Sequence, residues 1–185
     1  ARGGSSNVDD MKWAVKISDL RHGSRMTQAN DASMASAEAM AGAEAECDDR
    51  MTARGRELGL QKAVFKNSTG LPDPDQLMSV RDLTILARHI ILEFPEYYKI
   101  YSEPEFTWNK ITQQNRNPLL KDYPGADGMK TGYTKESGYG MVGSAVRDGR
   151  RLVMVIAGLK SISDRKEEAQ KVLDWGFRQV KTIHG

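Results

Sequence analysis

Two apolar runs, Tyr139–Val146 and Arg151–Leu159, flank the tetrapeptide Arg147-Asp148-Gly149-Arg150, and no other stretch limits the available folds as much. Asp-Gly between two strand-like runs is a strong two-residue hairpin signal, because both central residues of that turn need positive φ. The last third of the chain therefore holds an antiparallel pair. Period-two patterning extends it upstream to Gly128–Thr134 and to a short pair, Glu105–Trp108 and Lys110–Gln113.

Before that point the period is helical. The alanine-rich run Asp31–Ala41 reads as a tightly packed helix in the interior of a helical lobe, with Asp31 as N-cap and Gly42 as stop signal. Ala43–Leu58 reads as a second helix ended by Gly59, and Ala63–Phe65 as a short strand before the loop Lys66–Asp75. Ser79–Glu93 carries a cap signal, Ser79 with Asp82 three residues on, then Leu83, Leu86, Ala87, Ile90 and Ile91 at helical spacing until Pro95. Pro95–Tyr101 reads as one more helical piece, and Ile17–Gly23 as a short helix in an otherwise irregular start. A last helix, Asp164 to Phe177, is expected to be capped by Ser163 and to carry Ala169, Val172, Leu173 and Phe177 on one face. The fold class is α+β: residues 1–185 as one domain, 1–104 mainly a helical lobe, 105–185 mainly antiparallel sheet under a terminal helix.

Composition removes several function classes. Lys plus Arg number 27 against 25 for Asp plus Glu, a net charge of +2, and no basic stripe marks a nucleic-acid binder. The longest apolar run, Leu152–Leu159, falls far short of the roughly 20 residues a membrane helix needs. Cys47 is the single cysteine, so it reads as a buried or half-buried structural thiol. His22, His89 and His184 show no metal-ligand spacing, and no phosphate-cradling glycine loop is present, so neither metal nor organic cofactor is expected.

The sharpest chemical signal is Asp127-Gly-Met-Lys-Thr-Gly-Tyr-Thr134. Lys130 beside Thr131 suits a carboxylate, with one positive charge and one short hydroxyl donor. Gly132, lacking a Cβ, leaves room for an extended peptide to pair with the strand edge. A bare Lys-Thr-Gly is common, and alone it says little.

Its surroundings say more. Gly128-Met-Lys-Thr-Gly-Tyr-Thr, Ser137-Gly-Tyr-Gly, Gly143-Ser-Ala-Val-Arg-Asp-Gly-Arg-Arg-Leu-Val and Trp175-Gly-Phe-Arg resemble the D-Ala-D-Ala carboxypeptidase branch of the penicillin-binding serine peptidases. So do Phe65-Lys-Asn-Ser-Thr-Gly-Leu, Phe94-Pro-Glu-Tyr-Tyr, Phe106-Thr-Trp-Asn and Asn115-Arg-Asn-Pro-Leu-Leu, all in the family's order. The resemblance implies the β-lactamase/DD-peptidase-like fold, without its N-terminal strands and nucleophile helix. The family's first motif, Ser-x-x-Lys, lies upstream of a Gly-Gly-Ser-Ser loop that is here residues 3–6, so this chain is expected to start after it. The one Ser-x-x-Lys present, Ser163–Lys166, reads as a helix start.

By the same resemblance the second motif, Ser-x-Asn, falls on Gln28-Ala29-Asn30, with Gln28 in the serine's place. A glutamine amide does not titrate, so the favoured expectation is an impaired proton relay, the alternative being that Gln28 is shifted and the local register differs. The family's scheme has Lys130 and Thr131 hold the substrate carboxylate, with Arg116 and Arg165 near it, and Gly132 make room. The Tyr133 N–H would be half of an oxyanion hole, and Asn30 would hold the substrate amide. The implied partners are a peptidoglycan stem peptide ending in D-Ala-D-Ala and β-lactam antibiotics, and the implied location is periplasmic or otherwise extracytoplasmic in a bacterial envelope. Any membrane anchor would lie outside these residues. The 185 residues by themselves are expected to be inactive. A non-catalytic peptidoglycan- or partner-binding module of the same fold and a β-lactamase are the competing readings.

Overall fold

The computed structural model describes residues 30–42, 44–108 and 110–179, which form two compact units. The first takes residues up to Asp82 together with Glu103–Arg116, and the second takes Leu83–Ser102 together with the chain from Asn117 onward.

In the first unit, α1 (Asn30–Ala41) and α2 (Glu44–Glu57) pack on each other. Asp31 lies inside the first turn of α1 and not ahead of it, so it is no N-cap. The expected interior position for this helix is also corrected. Ala32 and Ala37 are buried, five residues apart, whereas Met40 is 69% exposed. A run of alanines is compatible with close packing on any face, and only the actual neighbours decide which. Cys47 of α2 is buried. The predicted strand at Ala63–Phe65 shrinks to one antiparallel bridge, Val64 with Leu77. At the start of α3 (Val80–Glu93) the Ser79 hydroxyl accepts the Asp82 N–H at 3.0 Å, the cap the sequence signalled. Asp82 is itself buried and accepts the N–H groups of Gln61 and Lys62 at 3.0 and 2.9 Å. Burial opposes its charge, but the hydrogen bonds from Lys62, Ser79 and Gln61 outweigh it and hold the carboxyl below its ordinary value. The hairpin of β1 (Glu105–Trp108) and β2 (Ile111–Gln114) completes the unit, its second strand one residue later than expected.

The second unit is built on the sheet β3 (Ala126–Thr134), β4 (Gly138–Arg147) and β5 (Arg150–Leu159), antiparallel throughout and in that spatial order. Arg147 pairs with Arg150, leaving Asp148 and Gly149 as a two-residue turn with φ of 51° and 74°. This is the positive-φ turn that the Asp-Gly pair demands. The central strand β4 is buried from Met141 to Ala145, because both faces of the sheet are covered. On one face α5 (Leu119–Asp122) and α6 (Ile162–Gln179) contribute Leu119, Ala169, Leu173 and Phe177 against Met141, Ala145 and Met154. On the other, Ala87 of α3 and the tyrosines Tyr98 and Tyr101 pack on Met129 and Val142. Those tyrosines come from α4 (Pro95–Tyr98) and the 3-10 turn Lys99–Ser102, the two pieces into which the expected helix divides. Leu173, 1% exposed, is the kind of core leucine whose truncation costs ~2–5 kcal/mol.

Helix α6 starts earlier than the sequence suggested. Ser161, not Ser163, is its cap: the Ser161 hydroxyl accepts the Asp164 N–H at 3.0 Å, while Ser163 donates to Glu167 on the helix surface. Ser161 has the acidic residue three positions on, Asp164, whereas Ser163 has Lys166 there, so the local pattern that marks the cap of α3 favours Ser161 here as well. The expected helix at Ile17–Gly23 lies outside the described residues. No described helix is long and apolar enough to cross a membrane.

Candidate functional site

Strand β3 is an edge. It pairs with β4 from Ala126 to Thr134 and, among the described residues, has no strand on its other side. Alternation along it separates the key residues: Thr131 pairs with Met141, which packs under α6, and Lys130 with Val142, which packs against the tyrosine layer. Thr131 is buried, Lys130 half-buried, and the strand then emerges, with Gly132 and Tyr133 exposed. A Cβ built on Gly132 would meet no atom of the described residues within 4 Å. Neither positive φ nor packing against the described residues requires the glycine, and it leaves the strand exposed on that side.

Two cations grip successive carbonyls there. Lys130 Nζ donates to the Thr131 carbonyl at 2.7 Å, and Arg165 Nη1 of α6 to the Gly132 carbonyl at 3.5 Å. Arg165 is 7% exposed, yet among the described residues it joins no ion pair, and its Nε has no hydrogen-bond partner. Burial pulls its pKa below the ordinary guanidinium value, with Tyr139 opposing the shift. Its position in the first turn of α6 adds the unfavourable end of the helix dipole. The guanidinium lies over the Tyr139 ring at 5.6 Å, and Tyr139 stacks on Tyr133 with centroids 4.3 Å apart.

A second polar group anchors the buried end of the same strand. Asp127 receives Arg151 Nη1 and Nη2 at 2.8 and 2.6 Å and the Tyr98 hydroxyl at 3.1 Å. Arg151 also donates to Ser144 Oγ at 2.6 Å. The network ties β3 to β4, β5 and α4 just before the Lys-Thr-Gly segment. Hydrogen bonding to Asp127 raises the Arg151 pKa against the effect of burial. Burial lifts the Tyr98 hydroxyl well above the ordinary tyrosine range, with Asp127 reinforcing it.

Of the residues picked out from sequence, the structure gathers Lys130, Thr131, Gly132, Tyr133 and Arg165 on one sheet edge. Asn30, half-buried at the start of α1, and Arg116, exposed beyond β2, belong to the first unit. Gln28 lies outside the described residues. Ser163–Lys166 is the surface of α6, where Lys166 pairs with Asp122. Sequence reasoning assigned no role to Tyr98, Asp127, Tyr139, Ser144 or Arg151. All five stood inside quoted motifs, and for Asp127 and Tyr139 their place beside the lysine and glycine was a further signal. Chemically, this edge offers an extended backbone and, among the described residues, an open flank and a buried cation without a counter-ion, which together suit an anionic peptide end.

A family model described as D-alanyl-D-alanine carboxypeptidase matches residues 1–161. The D-alanyl-D-alanine carboxypeptidase DacA of Haemophilus influenzae is 41% identical over 176 residues, which are 94% of this chain and 45% of the relative. The chain thus spans less than half the length of that protein. Penicillin binding protein 5 from Haemophilus influenzae superposes with a TM-score of 0.92 at 41% identity, covering 95% of this chain and 52% of that one. Penicillin-binding protein D2 from Listeria monocytogenes, solved in an ampicillin-bound form, matches with a TM-score of 0.86 at 26% identity, over 96% of this chain and 74% of its own.

Proposed function

The chain belongs to the D-alanyl-D-alanine carboxypeptidase family, and from that premise we propose that it supplies the carboxylate-recognition edge of a serine D-Ala-D-Ala carboxypeptidase. The substrate on this reading is a peptidoglycan stem peptide ending in D-Ala-D-Ala. A serine attacks the carbonyl between the two alanines, the terminal D-alanine leaves, and water hydrolyses the resulting ester. β-Lactams acylate the same serine. The setting that follows is the bacterial cell envelope.

The observation that carries the proposal is the buried Arg165, which has no counter-ion among the described residues, beside the exposed Gly132 edge. A buried charge without a counter-ion is costly. Here its hydrogen bond goes to a neutral carbonyl at 3.5 Å. A carboxylate is a far better acceptor for a guanidinium, with hydrogen bonds roughly twice as strong. The terminal carboxylate of the substrate completes what Arg165 lacks. Lys130 and Thr131 take the same carboxylate, and the family resemblance makes Arg116 a further candidate for binding it. Gly132 lets the peptide lie along β3 as an added strand. The Tyr133 N–H forms half of the oxyanion hole. Asn30 holds the substrate amide, and Gln28, in the relay position, slows proton transfer to the leaving amine.

Two measurements test this. Titrating N-acetyl-D-Ala-D-Ala into the isotope-labelled chain is expected to shift the amide signals of Lys130–Tyr133 saturably, while the C-terminal amide of the same peptide leaves them in place. Equal response to acid and amide would refute carboxylate recognition. Incubation with a fluorescent penicillin and a denaturing gel is expected to leave the 185-residue chain unlabelled, because its single Ser-x-x-Lys sits on the surface of α6. A labelled band from that chain would overturn the assignment of the nucleophile.

A further inference from the structure

A buried arginine must be kept in place before any anion arrives. Three features bear on it. Arg165 is 7% exposed and makes no ion pair among the described residues, its Nε is without a partner, and its hydrogen bond to Gly132 is long at 3.5 Å. What does lie against it is aromatic: the Tyr139 ring, 5.6 Å from the guanidinium carbon. That ring is in turn braced by Tyr133 at 4.3 Å, tilted by 33°. Tyr139 and Tyr133 face each other in register across β3 and β4, so the stack is built into the strand pairing and does not depend on a mobile loop.

An aromatic face attracts a cation through the ring quadrupole, and the attraction grows as solvent is removed. Unlike a carboxylate, a ring does not neutralise the charge. An aspartate at position 139 would satisfy the guanidinium and silence it as an anion site. A leucine would leave it unsupported and free to turn toward solvent. A ring holds the cation in place and leaves its charge unspent.

We propose that Tyr139, braced by Tyr133, is a positioning residue that holds the Arg165 guanidinium against the Gly132 carbonyl in place of a counter-ion, keeping the cation ready for the carboxylate of an incoming peptide. The proposal rests on the carboxylate-recognition reading of this edge and adds to it the device that maintains the empty-handed arginine. Tyr139 acts through Arg165 and need not touch the ligand.

The test is the acid-against-amide titration, followed at the Arg165 Nε–H signal in four chains: wild type, Tyr139→Phe, Tyr139→Leu, and the chain with pentafluorophenylalanine at 139. Phenylalanine keeps the ring face and is expected to bind N-acetyl-D-Ala-D-Ala within twofold of wild type. Leucine and the fluorinated ring, which keeps the shape but reverses the quadrupole, are each expected to weaken binding of the acid about fivefold. The fluorinated variant keeps the test informative even if Tyr139→Leu fails to fold, since a merely structural ring would be replaced by it without loss. Wild-type affinity in the fluorinated chain overturns the proposal. If wild type itself does not distinguish acid from amide, the carboxylate reading falls first and the proposal with it. Discrimination in wild type that survives unchanged in both weakened variants overturns the role of Tyr139 alone.

Discussion

Two glycines of β3 stand four residues apart and should respond to the same substitution in opposite ways. At Gly128 an added methyl would sit well inside contact distance of the Tyr98 hydroxyl and 3.0 Å from its ring carbon Cζ. Tyr98 cannot swing clear cheaply, because it is 6% exposed and its hydroxyl is bonded to Asp127 at 3.1 Å. Overpacking of this kind costs ~1–3 kcal/mol. Losing the tyrosine hydrogen bond adds ~1 kcal/mol. Gly128→Ala is therefore expected to destabilise the chain by about 2–4 kcal/mol. At Gly132 the same methyl meets nothing within 4 Å among the described residues, and φ is not positive. Removing the backbone freedom of a strand glycine there should stabilise by as much as ~0.5–1 kcal/mol. That methyl would nonetheless stand where a peptide pairs with the edge, so Gly132→Ala should weaken binding of N-acetyl-D-Ala-D-Ala tenfold or more, which corresponds to ~1.4 kcal/mol. Urea unfolding followed by tryptophan fluorescence gives the first quantity and titration the second. Loss of stability in Gly132→Ala, or wild-type affinity in a well-folded Gly132→Ala, would refute the argument that this glycine is present for the ligand.

The Asp127–Arg151 pair should behave as one unit in a double-mutant cycle. The two side chains are 29% and 32% exposed, so Asp127→Ala and Arg151→Met should each cost ~1–3 kcal/mol. The cycle should return a coupling of ~1–2 kcal/mol, and a coupling near zero would show that solvent already screens the pair. Alkaline pH offers a separate check through Tyr123, whose hydroxyl donates to Asp174 at 2.7 Å. Burial, then Asp174, raises its pKa from 10.0 to about 12 in the folded chain. The native state thus keeps a proton that the unfolded chain has lost, and stability that is intact below pH 10 drains away between about 10 and 12. Tyr123→Phe should flatten the fall of the urea midpoint over that window, and an unchanged slope would contradict the assignment. Tyr98 titrates late for the same reason, so the flattening is expected to be partial.

What could be read from the sequence follows how local each determinant is. The β4–β5 hairpin was legible because its cause, two residues able to take positive φ, sits entirely within Asp148-Gly149. The cap of α3 was legible because Ser79 and Asp82 are three residues apart. The same local logic, applied at α6, points to Ser161 with Asp164 three residues on and not to Ser163, which has Lys166 there, so that cap too was legible. The alanine-rich α1 was overread, because alanine permits burial without requiring it. The Asp127 network was invisible: its partners lie 29 and 24 residues away, and no period in the sequence links them.

Arg165 shows a deeper limit. Its residue type and place were identified, but its significance lies in what does not surround it, and an absence among spatial neighbours has no sequence signature. An arginine on the first turn of an exposed helix and one buried without an anion look the same in a string of letters. They differ once α6 is laid on the sheet and Gly132, Tyr139 and the guanidinium fall within a few ångströms of one another. The Lys-Thr-Gly motif marks where a carboxylate would be met. On the proposed reading, the cost of leaving Arg165 buried with no counter-ion among the described residues is what would give the edge a physical preference for one.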